Sequence, residues 1–140
     1  KDKNKNILEQ NDEINYENKI LIEPKKDFTS KAIIPTYNIE RVKQLSEAFK
    51  QIKIYLTVTS TADKDNLVAI SELVKDKYSS YANIIICIYS DTDEGVSLAK
   101  GITTNISSEK HNEVWLAMYS YNPVEGAYFD PNPGGYLGID

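Results

Sequence analysis

Two apolar stretches near the middle of the chain define its predicted core. From Ile52 to Val58 every second residue is apolar, which predicts a strand with one buried face. From Ile84 to Tyr89 the residues are apolar throughout, which is typical of a strand covered on both faces. Apolar residues recur at helical spacing between the two, and these are Leu67, Ile70, Val74, Tyr78 and Tyr81. The pattern therefore predicts a β-α-β unit whose helix, capped by Thr61 or Asp63, packs on one face of the sheet.

Three further segments extend this unit. Asn38 to Gln51 carries apolar residues on one helical face and an asparagine that can cap its start, which predicts a helix. Val114 to Tyr121 alternates and predicts a strand. We expect one face of this strand to carry Trp115, Ala117, Tyr119 and Tyr121, with Leu116 and Met118 on the other. Trp115 and Tyr119 are interpreted as core residues. After a turn at Asn122-Pro123, the segment from Ala127 to Phe129 is expected to pair back as a hairpin arm.

The remaining segments are harder to assign from the pattern. Val96 to Ile102 fits either a third strand or a short helical turn. Ile102 to Asn112 is polar and is predicted to be a loop. Asp130 to Tyr136 contains two prolines and two glycines, which predicts a turn-rich loop.

Together these elements predict one α+β domain over residues 32 to 140. We expect a small mixed or antiparallel sheet that contains the β-α-β unit. A chain of 140 residues can bury a sizeable core without disulfides or metals. Residues 1 to 31 are rich in Asn, Lys and Glu and poor in aromatic residues, which predicts a flexible N-terminal tail. Within that tail, the apolar group at residues 20 to 22 is a candidate edge strand or docking segment.

The charge distribution argues against two classes of ligand. The net charge is −5, and residues 87 to 140 hold two Lys, eight acidic residues and no Arg. Nucleic acids and anionic lipids are bound by clustered Lys and Arg, so this composition disfavours both. The chain contains no run of about 18 apolar residues, so we expect no transmembrane segment.

The sequence lacks the common signatures of catalysis and of cofactor binding. Cys87 is the only cysteine, which excludes an internal disulfide, and we interpret it as a buried hydrophobic residue. His111 is the only histidine and lies in a polar stretch, so we expect it at the surface. No Gly-x-Ser-x-Gly motif accompanies it. Gly134 and Gly135 lack the remaining residues of a phosphate-binding loop, so we expect no cofactor.

Acidic residues offer two further hypotheses. Asp91, Asp93 and Glu94 follow a central strand, and their oxygens would suit calcium or magnesium. Their spacing is not that of an EF-hand, so a solvated turn is the favoured interpretation. A pair of carboxylates would instead suit a small hydrolase, with Asp91 or Glu94 acting together with Glu125 or Asp130. We retain this hydrolase as the alternative function.

The last quarter of the chain is rich in aromatic residues. Tyr128, Phe129 and Tyr136 lie next to turn residues and are expected at the surface, with Asp130 beside them. Flat aromatic faces beside carboxylates and amides can hold sugars or partner loops at low entropic cost. The sequence therefore predicts a non-catalytic, monomeric binding domain that recognises a protein or a glycan through these four residues. A third hypothesis is a structural or inhibitory module that acts only on another protein.

The first six residues suggest where the protein resides. Lys1 to Asn6 is a charged run of the kind that follows a cleaved export signal or a lipid-anchored N-terminus. We therefore expect an exported protein, periplasmic or at the cell surface, with a lipid anchor as one form of attachment. A domain cut from a longer cytosolic chain would begin in the same way.

Overall fold

The structure, a computed structural model, describes residues 34 to 136. The elements are β1 (Tyr37–Ser46), β2 (Gln51–Val58), α1 (Lys64–Lys77), β3 (Asn83–Ser90), α2 (Asp93–Ala99), α3 (Ser108–Val114), β4 (Trp115–Asn122), β5 (Gly126–Asp130) and a 3-10 helix (Pro133–Tyr136). The predicted tail at residues 1 to 31, including its apolar group at 20 to 22, lies outside the described residues, as do residues 137 to 140.

The five strands form one mixed sheet in the order β1-β2-β3-β4-β5. The strands β2 and β3 are parallel and are joined through α1. The other three neighbouring pairs are antiparallel. This arrangement confirms the predicted α+β class, the mixed sheet and the β-α-β unit. Within the described part of the chain, no helix is long and apolar enough to cross a membrane.

One side of the sheet, here called the first face, packs against α1 and forms the larger core. The core residues on the sheet are mostly isoleucines of β2 and β3, joined by Ala117 and Tyr119 of β4. The helix contributes Leu67, Ile70 and Val74. Of the two predicted caps, Asp63 is the one that begins the helix, because its carboxylate oxygen accepts the Asn66 backbone N–H at 2.8 Å. In return, the Asp63 N–H donates to the Asn66 side chain at 3.0 Å, which completes a capping box.

The other side, the second face, is covered over part of its length by α2 and α3. Its buried residues are Tyr55, Cys87, Tyr89, Leu98, Ala99 and Val114. The helix α2 lies close to β3 because it carries glycine at position 95. A Cβ at Gly95 would stand 1.9 Å from the Ser90 carbonyl oxygen, so no larger residue fits there without movement.

The predicted helix over residues 38 to 51 is wrong, since residues 37 to 46 form β1. The strand contains two irregularities in its pairing with β2, between Ile39 and Arg41 and between Gln44 and Ser46. Each bulge inserts an extra residue and breaks the period of two. Ile39 and Val42 therefore pair with core-facing residues of β2 at a spacing of three. That spacing also occurs on one face of a helix, which explains the error.

Three smaller predictions are also decided. The helical alternative for Val96 to Ile102 is correct up to Ala99, where α2 ends. The predicted loop at 102 to 112 instead contains the start of α3, because the Ser107 hydroxyl caps it by accepting the Lys110 N–H. The expected hairpin arm is confirmed as β5.

The predicted faces of β4 are wrong at its first two residues. Tyr89 pairs with Trp115 and Ile88 pairs with Ala117, so Leu116 is an extra residue in the ladder. This bulge places Trp115 with the cluster of the second face and Leu116 with the core of the first face.

Candidate functional site

The second face can be described as rows of side chains that cross all five strands. Residues in register on neighbouring strands point to the same face. One row, here called the covered row, consists of Arg41, Tyr55, Cys87, Met118 and Asp130. The next row, here called the open row, consists of Lys43, Lys53, Ile85, Ser120 and Tyr128. Tyr55 and Cys87 are buried in the covered row, whereas every member of the open row is half-buried or exposed.

Arg41 links the covered row to α2. Its guanidinium carbon lies 4.0 Å from the centroid of the Tyr55 ring, and its Nε–H donates to the carbonyl oxygen of Ala99 at 3.4 Å. The last carbonyls of a helix carry a partial negative charge, so a guanidinium is favourable there. Gly101 has a φ of +89°, and a Cβ there would lie 2.9 Å from Nη1 of Arg41. Arg41 therefore has a structural role in closing this half of the face.

Cys87 is buried in the covered row, as predicted. Only 1% of the residue is exposed. Burial raises the pKa of the Cys87 thiol to about 11, although the nearby charges of Lys53 and Arg41 act to lower it. A thiol with a raised pKa and no access to solvent is a poor nucleophile, so Cys87 behaves as a small core residue.

An aromatic cluster lies at the covered end of the second face. The rings of Tyr89 and Trp115 are stacked at 6.0 Å, and the His111 ring lies 5.4 Å from that of Trp115. The prediction that His111 lies at the surface is wrong, because α3 places its half-buried ring against these aromatic rings. Burial lowers the pKa of His111. His111 Nε2 and Trp115 Nε1 are buried without a hydrogen-bond partner among the described residues.

The four residues predicted to bind a ligand do not share one surface. Tyr128 lies on the edge strand β5 at the end of the open row and is 62% exposed. Asp130 is on the same face, in the covered row, and is half-buried. Phe129 points to the first face and packs against its core. Tyr136 is the last residue of the 3-10 helix. The structure therefore brings Tyr128 and Asp130 to one face and separates Phe129 from them.

Asp91 lies far from both of its candidate partners, Glu125 and Asp130. The side chain of Thr92, not that of Asp91, caps α2 by accepting the Gly95 N–H at 3.1 Å. Asp91 follows β3, whereas Glu125 lies in the turn beyond the opposite end of the sheet, about 25 Å away along the strand direction. Asp130 is in register with Cys87, which places it roughly 16 Å from Asp91 along and across the strands. Paired-carboxylate hydrolysis requires separations of about 5 to 9.5 Å.

Within residues 34 to 136, no group of three or more His, Cys, Asp or Glu side chains could hold a metal ion. A shallow depression of about 300 Å³ lies at the tip of the β1–β2 hairpin, lined by Gln44, Glu47, Lys50, Ser80 and Tyr81. It is open to solvent and its lining is mostly polar. This depression lacks the apolar walls that usually enclose a small-molecule ligand.

Two exposed features were missed by the sequence analysis. The first is the pair Lys43 and Lys53, which face each other across β1 and β2 in the open row. The second is an exposed apolar strip along β1 and its hairpin tip, formed by Val42, Leu45 and Phe49. Both depend on β1 being a strand, so the prediction of a helix at 38 to 51 concealed them.

Comparison of the chain with known protein families, with characterised proteins and with solved structures found no match.

Proposed function

We propose that this protein is a non-catalytic binding domain that recognises a protein or a glycan through the exposed side of β5. The observation that carries the proposal is the exposure of Tyr128, which is 62% accessible on an edge strand of a rigid sheet. An exposed tyrosine on regular structure offers a large contact area with few torsions to restrict on binding. Asp130 lies on the same face two residues further along β5 and adds a polar contact beside the ring.

The alternative function, a carboxylate-dependent hydrolase, has weaker geometric support. Asp91 lies about 25 Å from Glu125 and roughly 16 Å from Asp130, so neither pair is close enough for general acid–base work. The binding domain is therefore the function that the arrangement of residues favours.

The test is binding of labelled protein to a glycan microarray and to surface proteins of the native organism. We expect Tyr128→Ala to weaken the signal at least several-fold. The matched control is Phe49→Ala, which removes an aromatic side chain of similar exposure, 70%, at the tip of the β1–β2 hairpin. Equal loss in both variants, or unchanged binding by Tyr128→Ala, would refute the role of Tyr128.

We also propose that the domain is exported, either periplasmic or at the cell surface and with or without a lipid anchor, and that it acts as a monomer. The support for export is the charged, asparagine-rich composition of residues 1 to 31, which suits a tether. Cell fractionation tests the location, and recovery of the full-length product only from the cytosol would contradict it. Light scattering on the purified chain tests the monomer.

A further inference from the structure

We propose that the open row binds an oligosaccharide that carries carboxylate groups, as uronic acid residues do. This inference rests on the proposed function, because it names the ligand class for the same surface. The row runs from Lys43 and Lys53 at one edge of the sheet to Tyr128 at the other.

The two lysines form an unfavourable pair in the absence of a ligand. Lys43 and Lys53 are directly opposite each other in an antiparallel ladder, where Cβ atoms lie about 5 Å apart and like charges destabilise the pair. Arg41 is one row away, so a third positive charge lies on the same face. Among residues 34 to 136, neither lysine forms an ion pair, since the salt bridges there involve only Lys75 and Lys110.

Lys43 and Lys53 are both available to a ligand on the second face. The Lys53 ammonium lies 5.4 Å from the centroid of the Tyr55 ring, so the side chain is held along the sheet instead of extending freely into solvent. Lys43 is exposed. An anionic group placed over this pair would remove the repulsion and gain two attractive contacts, which is charge complementarity of the kind found in specific interfaces.

The open row carries groups that a sugar chain can bind, spaced over a short distance. Three strand spacings separate Lys53 from Tyr128, a distance of about 14 Å, which a short oligosaccharide spans. Between them lie the half-buried Ile85 and Ser120, so this stretch of the row carries both apolar and hydroxyl groups. A sugar ring needs only an aromatic face to pack on, which Tyr128 provides.

The charge of the protein favours carboxylates at moderate density over densely sulfated polymers. The chain has a net charge of −5, so its overall charge opposes the approach of a highly charged polyanion. A polymer with one carboxylate per sugar or fewer can place a charge over Lys43 and Lys53 and avoid most of that repulsion.

The experiment measures binding of the full chain to immobilised polygalacturonate, alginate and hyaluronate. Methyl-esterified polygalacturonate, which keeps the sugar shape but loses the charge, serves as the neutral counterpart. We expect Lys43→Gln/Lys53→Gln to weaken binding to the carboxylated polymers roughly tenfold and to leave binding to the ester unchanged. The control Lys64→Gln/Lys77→Gln makes the same change in net charge on α1, on the first face, and should have little effect.

The outcomes separate this inference from the proposed function. Two results together support the inference and the proposed function. Tyr128→Ala should lose binding to charged and neutral polymers alike, and Lys43→Gln/Lys53→Gln should lose the preference for charged polymers. An acidic peptide is immobilised alongside the polymers. Binding to the neutral polymer alone, or to this peptide alone, overturns the proposed carboxylated glycan but not the proposed binding function. Failure of all three carboxylated polymers to bind overturns the inference. The lysine variant should melt no earlier than the original protein, because it removes a repulsion.

Discussion

The two faces of the sheet differ in how completely they are covered. Ile86 and Ile85 are neighbours in β3, yet Ile86 is 0% exposed beneath α1 whereas Ile85 is only half-buried in the open row. The first face is apolar across the central strands and is sealed by a fourteen-residue helix. The second face is sealed at one end by two seven-residue helices and open at the other. Stability is therefore concentrated on the first face, and the surface available for recognition lies on the second.

The largest expected effect tests this division directly. Ile86→Ala should lower the free energy of unfolding by about 2 to 5 kcal/mol, because it leaves a cavity in the core that the packed helix α1 cannot move to fill. Ile85→Ala should cost only about 1 kcal/mol, since that side chain already contacts solvent. Urea unfolding followed by circular dichroism measures both. Similar losses in the two variants would show that the faces do not differ in this way.

A smaller effect is expected where α2 meets the second face. Gly95→Ala places a methyl group against the Ser90 carbonyl oxygen and should destabilise the protein by about 1 to 3 kcal/mol. Ser97→Ala on the same helix is the control, and it should be neutral because alanine favours a helix. Trp115, the only tryptophan, lies in the cluster beneath this region, so its fluorescence reports a displacement of α2. An unchanged stability and spectrum would contradict the close approach of Gly95 to the Ser90 carbonyl oxygen.

The first face could be predicted from sequence to a large extent, and the second could not. The alternation in β2 and the apolar run of β3 indicated two adjacent strands, and the spacing of Leu67, Ile70 and Val74 indicated the helix between them. These elements follow the ideal periods of strand and helix. The first face is built almost entirely from them.

Which side chains lie on the second face depends on strand register and on β-bulges, and neither can be predicted from the identity of single residues. Lys43 pairs with Lys53 only because residues 37 to 46 form the strand β1. The two bulges in β1 space its apolar residues almost as a helix would, so the sequence pattern predicted a helix there. The bulge at Leu116 likewise moved Trp115 to the face opposite the predicted one. Of the predicted site, Tyr128 was placed correctly at the surface. Phe129 was not, because neighbouring residues of a strand point to opposite faces.

The smallest expected effect concerns pH and the covered end of the second face. Burial lowers the pKa of His111, so the folded protein keeps the imidazole neutral at pH values where the unfolded chain, with a pKa of about 6.5, binds a proton. The stabilisation is therefore complete above about pH 6.5 and is lost as the pH falls below that value towards the lowered pKa of the folded state. The effect should be small, because the ring is only half-buried and solvent screens its charge.

His111→Phe tests this expectation because it keeps an aromatic ring against Tyr89 and Trp115 and removes the titrating group. The free energy of unfolding should fall between about pH 6.5 and pH 5 in the original protein and stay flatter in the variant. Most carboxylates titrate below this window, so they contribute little to the difference. Parallel pH profiles for the two proteins would show that protonation of His111 is not coupled to the packing of α3.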